Sequence, residues 1–111
     1  MLGTKSRVDV QPILDQIKAY LRQRFGDSIE SILLYGSYAR GSAKPESDID
    51  LLVLVHDSLN PAEVRQSLSD ILYDILLEHD ELVSVIVLPK SRYEADNSMF
   101  LHHVRQEAVQ I

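Results

Sequence analysis

Cysteine is absent from the 111 residues, and basic side chains are outnumbered by acidic ones. Without a thiol, the chain can form no disulfide framework, no zinc knuckle and no cysteine nucleophile. Any metal would therefore be a hard ion held by oxygen ligands. Eleven Lys and Arg against seventeen Asp and Glu give a net charge of −6. This is the wrong sign for holding a nucleic-acid backbone, so we expect no direct nucleic-acid binding.

Long apolar segments are also missing. The longest apolar run, residues 51–55, is far too short to span a membrane, and residues 1–10 lack the apolar stretch of a signal peptide. These absences predict a protein that makes no membrane contact and stays in a reducing cytoplasm. The length and a hydrophobic content of 45% suit one compact domain over residues 1–111.

The sequence that remains alternates between helical and extended patterns. Apolar periodicity and β-rich runs predict, in chain order, a helix at 12–25, strands at 31–35 and 49–55, a helix at 60–78, a strand at 82–88 and a helix at 97–107. Pro12 and Asn60 mark two helix starts, and Pro89 stops the last strand. The strand at 49–55 is apolar on both faces, which favours a central position.

The order of these elements predicts an α/β or α+β fold, in which helices flank one small mixed sheet. In the closing helix, we expect Met99, Phe100, His103 and Val104 to face inward. No internal repeat or linker interrupts the pattern.

Two acidic residues stand at the start of the central strand. Asp48 and Asp50 are two positions apart, so both side chains should project from one face, with Cα atoms roughly 6–7 Å apart. Carboxylates this close repel each other and lose hydration, which costs stability unless a cation or a shared proton compensates. Mg²⁺ is the simplest remedy, because it takes one or two carboxylates and completes its shell with water and phosphate oxygens.

A place for phosphate precedes these acids. Gly36 permits a sharp turn and a close approach to its backbone, and Ser37 offers a hydroxyl. The following residues could start a short helix with free N–H groups. Arg40 and Lys44 add positive charge in an otherwise acidic chain.

Each of these features alone has an ordinary structural explanation. A Gly-Ser pair after a strand is most often a turn, and Asp-x-Asp is usually a solvated strand end. The order of the features changes this balance, because a strand, Gly36-Ser37, ten residues, Asp48-x-Asp50 and an apolar strand lie in one unit of about 20 residues. Together they favour a metal–nucleotide site.

This pattern resembles the signature of the DNA polymerase β-type nucleotidyltransferase superfamily, specifically its minimal nucleotidyltransferase (MNT) branch, over about residues 13–107. The resemblance implies that Asp48 and Asp50 are catalytic and bind one or two Mg²⁺ ions that carry the nucleotide. Gly36 and Ser37 would hold its phosphates, and Arg40 would help with charge. The implied reaction transfers a nucleoside monophosphate, AMP from ATP as the first expectation, to a hydroxyl while pyrophosphate leaves.

One part of the family pattern is missing. Larger members place a third carboxylate on the following strand, where it shares the metal and can take the acceptor's proton. Ser84 is the only polar residue inside that strand, and serine is neither a base nor a strong metal ligand at neutral pH. Asp80 or Glu81 could approach from the preceding turn, although the spacing gives no positive reason for it. Acceptor activation would otherwise fall to metal, water or a partner, or catalysis would be lost.

The resemblance also implies a partner. MNT proteins are typically paired with a small helical HEPN protein, often an RNase, in toxin–antitoxin modules, and neutralise it by complex formation, by AMP transfer to a tyrosine, or both. The leading hypothesis is therefore an adenylyltransferase acting on a HEPN-type partner. The rival is a degenerate module that binds without catalysis, which Ser84 favours. Transfer to a small molecule is disfavoured by the lack of a second domain, and self-association is left open.

Four further side chains have simpler explanations. Tyr38 could stack on a nucleobase or cover the sheet edge, and the second role is favoured. We expect His56, His102 and His103 to be partly buried polar residues without a role in the site.

Overall fold

The computed structural model describes residues 6–111. The prediction that residues 1–10 lack the apolar stretch of a signal peptide falls partly on residues 1–5, which lie outside the described residues. The described elements, in chain order, are α1 Arg7–Phe25, a 3-10 turn Gly26–Ser28, β1 Ile29–Tyr35, α2 Ser37–Arg40, β2 Ile49–Val55, α3 Pro61–Ser67, α4 Ser69–His79, β3 Val83–Pro89, α5 Lys90–Ala95, α6 Met99–Glu107 and β4 Val109–Gln110.

The four strands form one mixed sheet in the order β3-β2-β1-β4. β1 is antiparallel to both β2 and β4, whereas β2 and β3 run parallel. β2 is thus an internal strand, and nearly all of its side chains are buried, as its apolar composition predicts. The predicted α/β or α+β fold with a small mixed sheet is confirmed.

Helices cover both faces of this sheet. Odd-numbered residues of β2 belong to a large core that includes residues of α1, α3 and α4. Leu52 and Leu54, on the opposite face, pack in a smaller core with Leu101 and Val104 of α6. Because strand side chains alternate between faces, Asp50 projects from the face that α6 covers.

Helix α1 begins earlier than its sequence pattern predicts. It starts at Arg7 rather than at Pro12, so the proline lies inside the helix. Ser6 precedes the first turn, and its backbone N–H donates to Oδ2 of Asp9 at 2.8 Å. This capping interaction starts the helix more than one turn before the proline, whose missing N–H removes only one hydrogen bond near the helix start.

The single helix predicted over 60–78 is wrong, because two helices occupy this segment. α3 ends at Ser67 and α4 begins at Ser69, with the buried Leu68 between them. The Ser67 carbonyl accepts a hydrogen bond from the hydroxyl of Tyr20 at 2.7 Å. The apolar periodicity of the sequence continues through both helices, so it does not indicate this tertiary contact or the break beside it.

The predicted inward face of α6 is largely wrong. Val104 is buried as expected, but Met99 and Phe100 are 68% and 46% exposed, and His103 is exposed as well. Leu101 is the second buried residue of the helix.

The helix start explains this shift. Ser98 caps α6 by accepting a hydrogen bond from the N–H of Leu101 at 3.2 Å, which places residues 99 and 100 in an exposed first turn. Pro89 ends β3 as predicted, and α5 follows at once. α5 and the two-residue β4 were not predicted, because both are too short to show a periodic pattern.

Candidate active site

The turn between β1 and α2 brings the backbone of Gly36 against Asp50. Gly36 has φ 78° and ψ −156°, a conformation that residues with side chains rarely adopt. A Cβ atom added at Gly36 would lie 2.3 Å from Oδ2 of Asp50. The backbone conformation therefore favours glycine at this position, and a larger residue would also have to displace the Asp50 carboxylate.

Helix α2 follows this turn, which confirms the prediction that a short helix begins after Gly36. The N–H of Arg40 donates to the carbonyl of Gly36 at 3.1 Å. Gly41 ends the helix in a left-handed conformation with φ 76°. One helical turn thus connects Ser37, at its start, to Arg40, at its end.

Strand register determines which residues surround Asp50. Tyr35 is its partner on β1, and Ser84 is its partner on β3. Ser84 is thus the β3 residue next to Asp50, at the point where a third carboxylate would be expected. The side chain at this place is an exposed hydroxyl.

The two acids of the α4–β3 turn line a hollow with Asp48 and do not line the cleft of Asp50. Asp80 ends α4 with φ 54°, and Glu81 is buried. Both line an open hollow of about 350 Å³ together with Asp48, which lies just before β2 and is exposed. Because β2 begins at Ile49, the pleat of the strand determines the direction of the Asp50 side chain but not that of Asp48.

A second cleft, of about 380 Å³, lies on the α6 face at the end of β1. It is lined by residues of the β1–α2 turn, β2 and α6: Tyr35, Gly36, Ser37, Arg40, Asp50, Phe100, His103, Val104 and Glu107. Four of the five candidate site residues thus meet in one cleft. Asp48 lines the neighbouring hollow instead, and Lys44 is exposed and lines neither.

Negative charge accumulates around Asp50. Its pKa is raised above the usual value, first by burial and then by the charge of Asp48, with Glu107 adding to the rise and Arg40 opposing it. The pKa of Tyr35 is raised as well, by burial and by the charges of Asp50 and Glu107. An acidic site of this kind favours binding of a cation.

Glu107 is a residue of the cleft that sequence reasoning missed. One of its oxygens, Oε2, accepts a hydrogen bond from the N–H of Gly36 at 2.5 Å. The guanidinium of Arg40 lies 3.1 and 3.2 Å from the two carboxylate oxygens. The one signal in the sequence is an acidic residue at the C-terminal end of a helix, where the helix dipole disfavours it.

The minor candidates are also placed by the structure. Tyr38 is only 3% exposed and belongs to the large core, so it covers the sheet rather than stacking on a ligand. His56, His102 and His103 are all exposed, which corrects the expectation of partial burial. His56 contacts the hydroxyl of Ser58 through Nδ1 at 2.8 Å in the turn after β2.

Across residues 6–111, no three carboxylate or imidazole groups come together in a way that could hold a metal ion. Asp48 lines the neighbouring hollow, but its charge acts on Asp50. A cation at this site would therefore rely on the oxygens of these two carboxylates and take further ligands from water or phosphate, which is how Mg²⁺ is commonly bound. The residues present therefore fit that ion. In the same range, no helix combines the length and apolarity that crossing a membrane requires.

A known protein family matches most of this chain. The family model described as "Polymerase beta, Nucleotidyltransferase" matches residues 15–111. The chain belongs to this family. Its Gly36-Ser37 turn and Asp48-x-Asp50 segment thus occur in a nucleotidyltransferase domain, as the sequence resemblance implied.

Two relatives with curated names come from Methanocaldococcus jannaschii. The putative protein adenylyltransferase MJ1305 of Methanocaldococcus jannaschii is 46% identical over 66 residues, which cover 60% of this chain and 43% of that protein. The matched region is thus less than half of that relative. A second one from the same organism, the putative protein adenylyltransferase MJ0141, is 31% identical over 84 residues, covering 76% of this chain and 84% of that protein.

The fold also matches a solved structure, described as the crystal structure of a toxin–antitoxin with AMP-PNP. The identity is 25% and the TM-score is 0.57, and the match covers 86% of this chain and 69% of that one.

Proposed function

We propose that this chain is a Mg²⁺-dependent adenylyltransferase that transfers AMP from ATP to a hydroxyl of a HEPN-type toxin and so acts as its antitoxin. The observation that carries the proposal is the cleft in which Gly36, Ser37 and Arg40 meet Asp50. The names of the relatives and the nucleotide analogue in the similar toxin–antitoxin structure support it.

The cleft offers separate groups for the phosphates and the metal. The N–H of Gly36, the hydroxyl of Ser37 and the guanidinium of Arg40 are donors suited to phosphate oxygens. The carboxylates of Asp50 and Asp48 would hold the ion from the β2 side. When bound, Mg²⁺ would withdraw charge from the phosphate oxygens and from the departing pyrophosphate.

The proposed transfer needs alignment more than a protein nucleophile. The acceptor oxygen forms a bond to the α-phosphorus, the bond from that phosphorus to the bridging oxygen breaks, and pyrophosphate leaves with the electron pair. The hydroxyl proton passes to water. The role of the chain is to hold the triphosphate in line with the acceptor by means of Gly36, Ser37 and Arg40.

A partner protein suits the charge of the chain. A net charge of −6 complements a basic, RNA-binding toxin, and the lack of cysteine suits a reducing cytoplasm. The partner would also supply the acceptor surface, because the proposed acceptor is one of its own hydroxyl groups.

Ser84 favours a second candidate function. Because it is the β3 neighbour of Asp50, the site lacks a carboxylate where a base for the acceptor would be expected. In this alternative the chain keeps the cleft but neutralises its partner by binding alone.

Mass spectrometry of the partner tests the two functions. The protein is incubated with Mg-ATP and the product of the neighbouring gene, and the partner is then weighed. We expect the added mass of AMP with the wild type and with the control Asp74→Asn, whose residue is exposed on α4 away from the cleft. The addition should disappear with Asp50→Asn. A tightly bound but unmodified partner would support the binding-only module.

A further inference from the structure

The carboxylate of Glu107 accepts hydrogen bonds from two of the donor groups, those of Gly36 and Arg40, that would bind phosphate in the proposed function. Its carboxylate receives the N–H of Gly36 at 2.5 Å and forms an ion pair with Arg40 at 3.1 Å. Both oxygens are engaged, because Arg40 also donates to Oε1 at 3.2 Å. A carboxylate that accepts from a backbone N–H and a guanidinium makes the contacts that a phosphate group would make.

The surroundings of Glu107 otherwise oppose a negative charge. The carboxylate stands at the C-terminal end of α6, where the helix dipole is negative, and its side chain is only 21% exposed. Its charge acts on Asp50 and Tyr35 across the same cleft. The donors of Gly36 and Arg40 are therefore what holds an anion in this place.

The backbone around Glu107 is fixed on both sides. Leu101 and Val104 anchor α6 in the smaller core, and two residues after Glu107 the chain pairs with β1 as β4. Release of the carboxylate thus requires only rotation of the side chain, and the helix can remain in place. A glutamate has enough rotatable bonds to turn toward solvent at a small cost.

We propose that Glu107 is an internal competitor that occupies the anion-binding donors of the free chain and yields them to the triphosphate. The inference rests on the proposed function of this cleft. Its consequence is that the affinity for polyphosphate is lower than the donors alone would give, because each binding event must displace the carboxylate. The same competition favours release of pyrophosphate after transfer, since the carboxylate returns to Gly36 and Arg40.

Two substitutions at Glu107 distinguish occupation of the donors by the carboxylate from the long-range effect of its negative charge. Glu107→Gln removes the charge, whereas Glu107→Asp keeps the charge but is one methylene too short to maintain both contacts. If the carboxylate occupies the site, both variants should bind tripolyphosphate with Mg²⁺ more tightly than the wild type, by roughly tenfold for Glu107→Gln, or about 1.4 kcal/mol. Glu94→Gln, on exposed α5, is the matched control and should leave the affinity unchanged.

Calorimetry supplies the affinities, and the amide resonance of Gly36 in an NMR spectrum reports the contact itself. We expect tripolyphosphate to move this resonance in the wild type, and Glu107→Asp to move it without any ligand. A purely structural role of Glu107 would instead give variants with a lower Tm and weaker binding.

The outcomes distinguish this inference from the proposed function. If the wild type binds tripolyphosphate and neither variant binds it more tightly, Glu107 is not a competitor and the proposed function is unaffected. A gain in Glu107→Gln alone would also overturn it, because long-range charge would then explain the effect. If wild type and variants all fail to bind tripolyphosphate, the proposed function fails and the competitor fails with it.

Discussion

The two aspartates of one short motif lie in different surroundings. Asp50 is part of β2, is half-buried, and has its carboxylate against the Gly36 backbone in a cleft that also holds Arg40. Asp48 precedes the strand, is exposed, and lines a hollow with the acids of the α4–β3 turn. The difference follows from the pleat, which fixes the direction of a side chain inside a strand and leaves the residue before it free.

The strongest way to disturb the Asp50 side is Gly36→Ala. The new methyl group would meet the Asp50 carboxylate, and the backbone conformation disfavours any side chain. We expect a loss of about 3 kcal/mol in the free energy of unfolding.

Gly41→Ala is the matched control, because Gly41 also has a positive φ but open space around it. Backbone strain alone should cost about 1 kcal/mol there. Urea denaturation of both variants measures the difference. Equal losses would mean that the carboxylate moves aside easily and that the close contact carries little energy.

A second change makes the Asp50 side more acidic. Ser84→Asp places a third carboxylate beside Asp50, where β3 has only a hydroxyl. If a missing base limits the proposed transfer, the initial rate of AMP addition should rise by about tenfold or more. Without metal the same variant should unfold at a lower temperature, because a further negative charge joins the site.

Ser69→Asp, at the start of α4, adds the same charge away from Asp50 and should leave the rate unchanged. A rate that Ser84→Asp does not raise would argue that water or the partner already accepts the proton. In that case the wild type could transfer AMP even though residue 84 is a serine and not a carboxylate.

The contrast between the aspartates also shows what sequence can predict. Gly36 and Asp50 were predictable, because a turn glycine and an acid in an apolar strand each leave a local signal, and their spacing is that of the family. Glu107 was not, since it lies 71 positions from Gly36 and joins it only through the packing of α6 and the pairing of β4. The break between α3 and α4 at Leu68 was not predictable for the same reason. The contact found at this break is a hydrogen bond from the hydroxyl of Tyr20, which is distant in the sequence, to the carbonyl of Ser67.

The smallest expected effect is on the pH dependence of the Tm, which compares Asp50 and Asp48 directly. The pKa of Asp50 is raised in the folded chain, so folding disfavours the ionised form of this carboxylate. Its contribution to stability is fully present below the unfolded pKa of about 3.9 and is lost as the pH rises through the folded value. Asp50→Asn should therefore raise the Tm at pH 7 by about 2 °C, with the gain vanishing near pH 3.

Asp48→Asn removes one of the charges that raise the pKa of Asp50, so it should raise the Tm at pH 7 in the same direction by a smaller amount. Thermal unfolding at both pH values provides the comparison. Addition of Mg-ATP should reverse the order, because the wild type then gains stability from binding that Asp50→Asn loses. An Asp50→Asn variant that is less stable than the wild type at pH 7 without ligand would contradict the acidic environment assigned to this side of the motif.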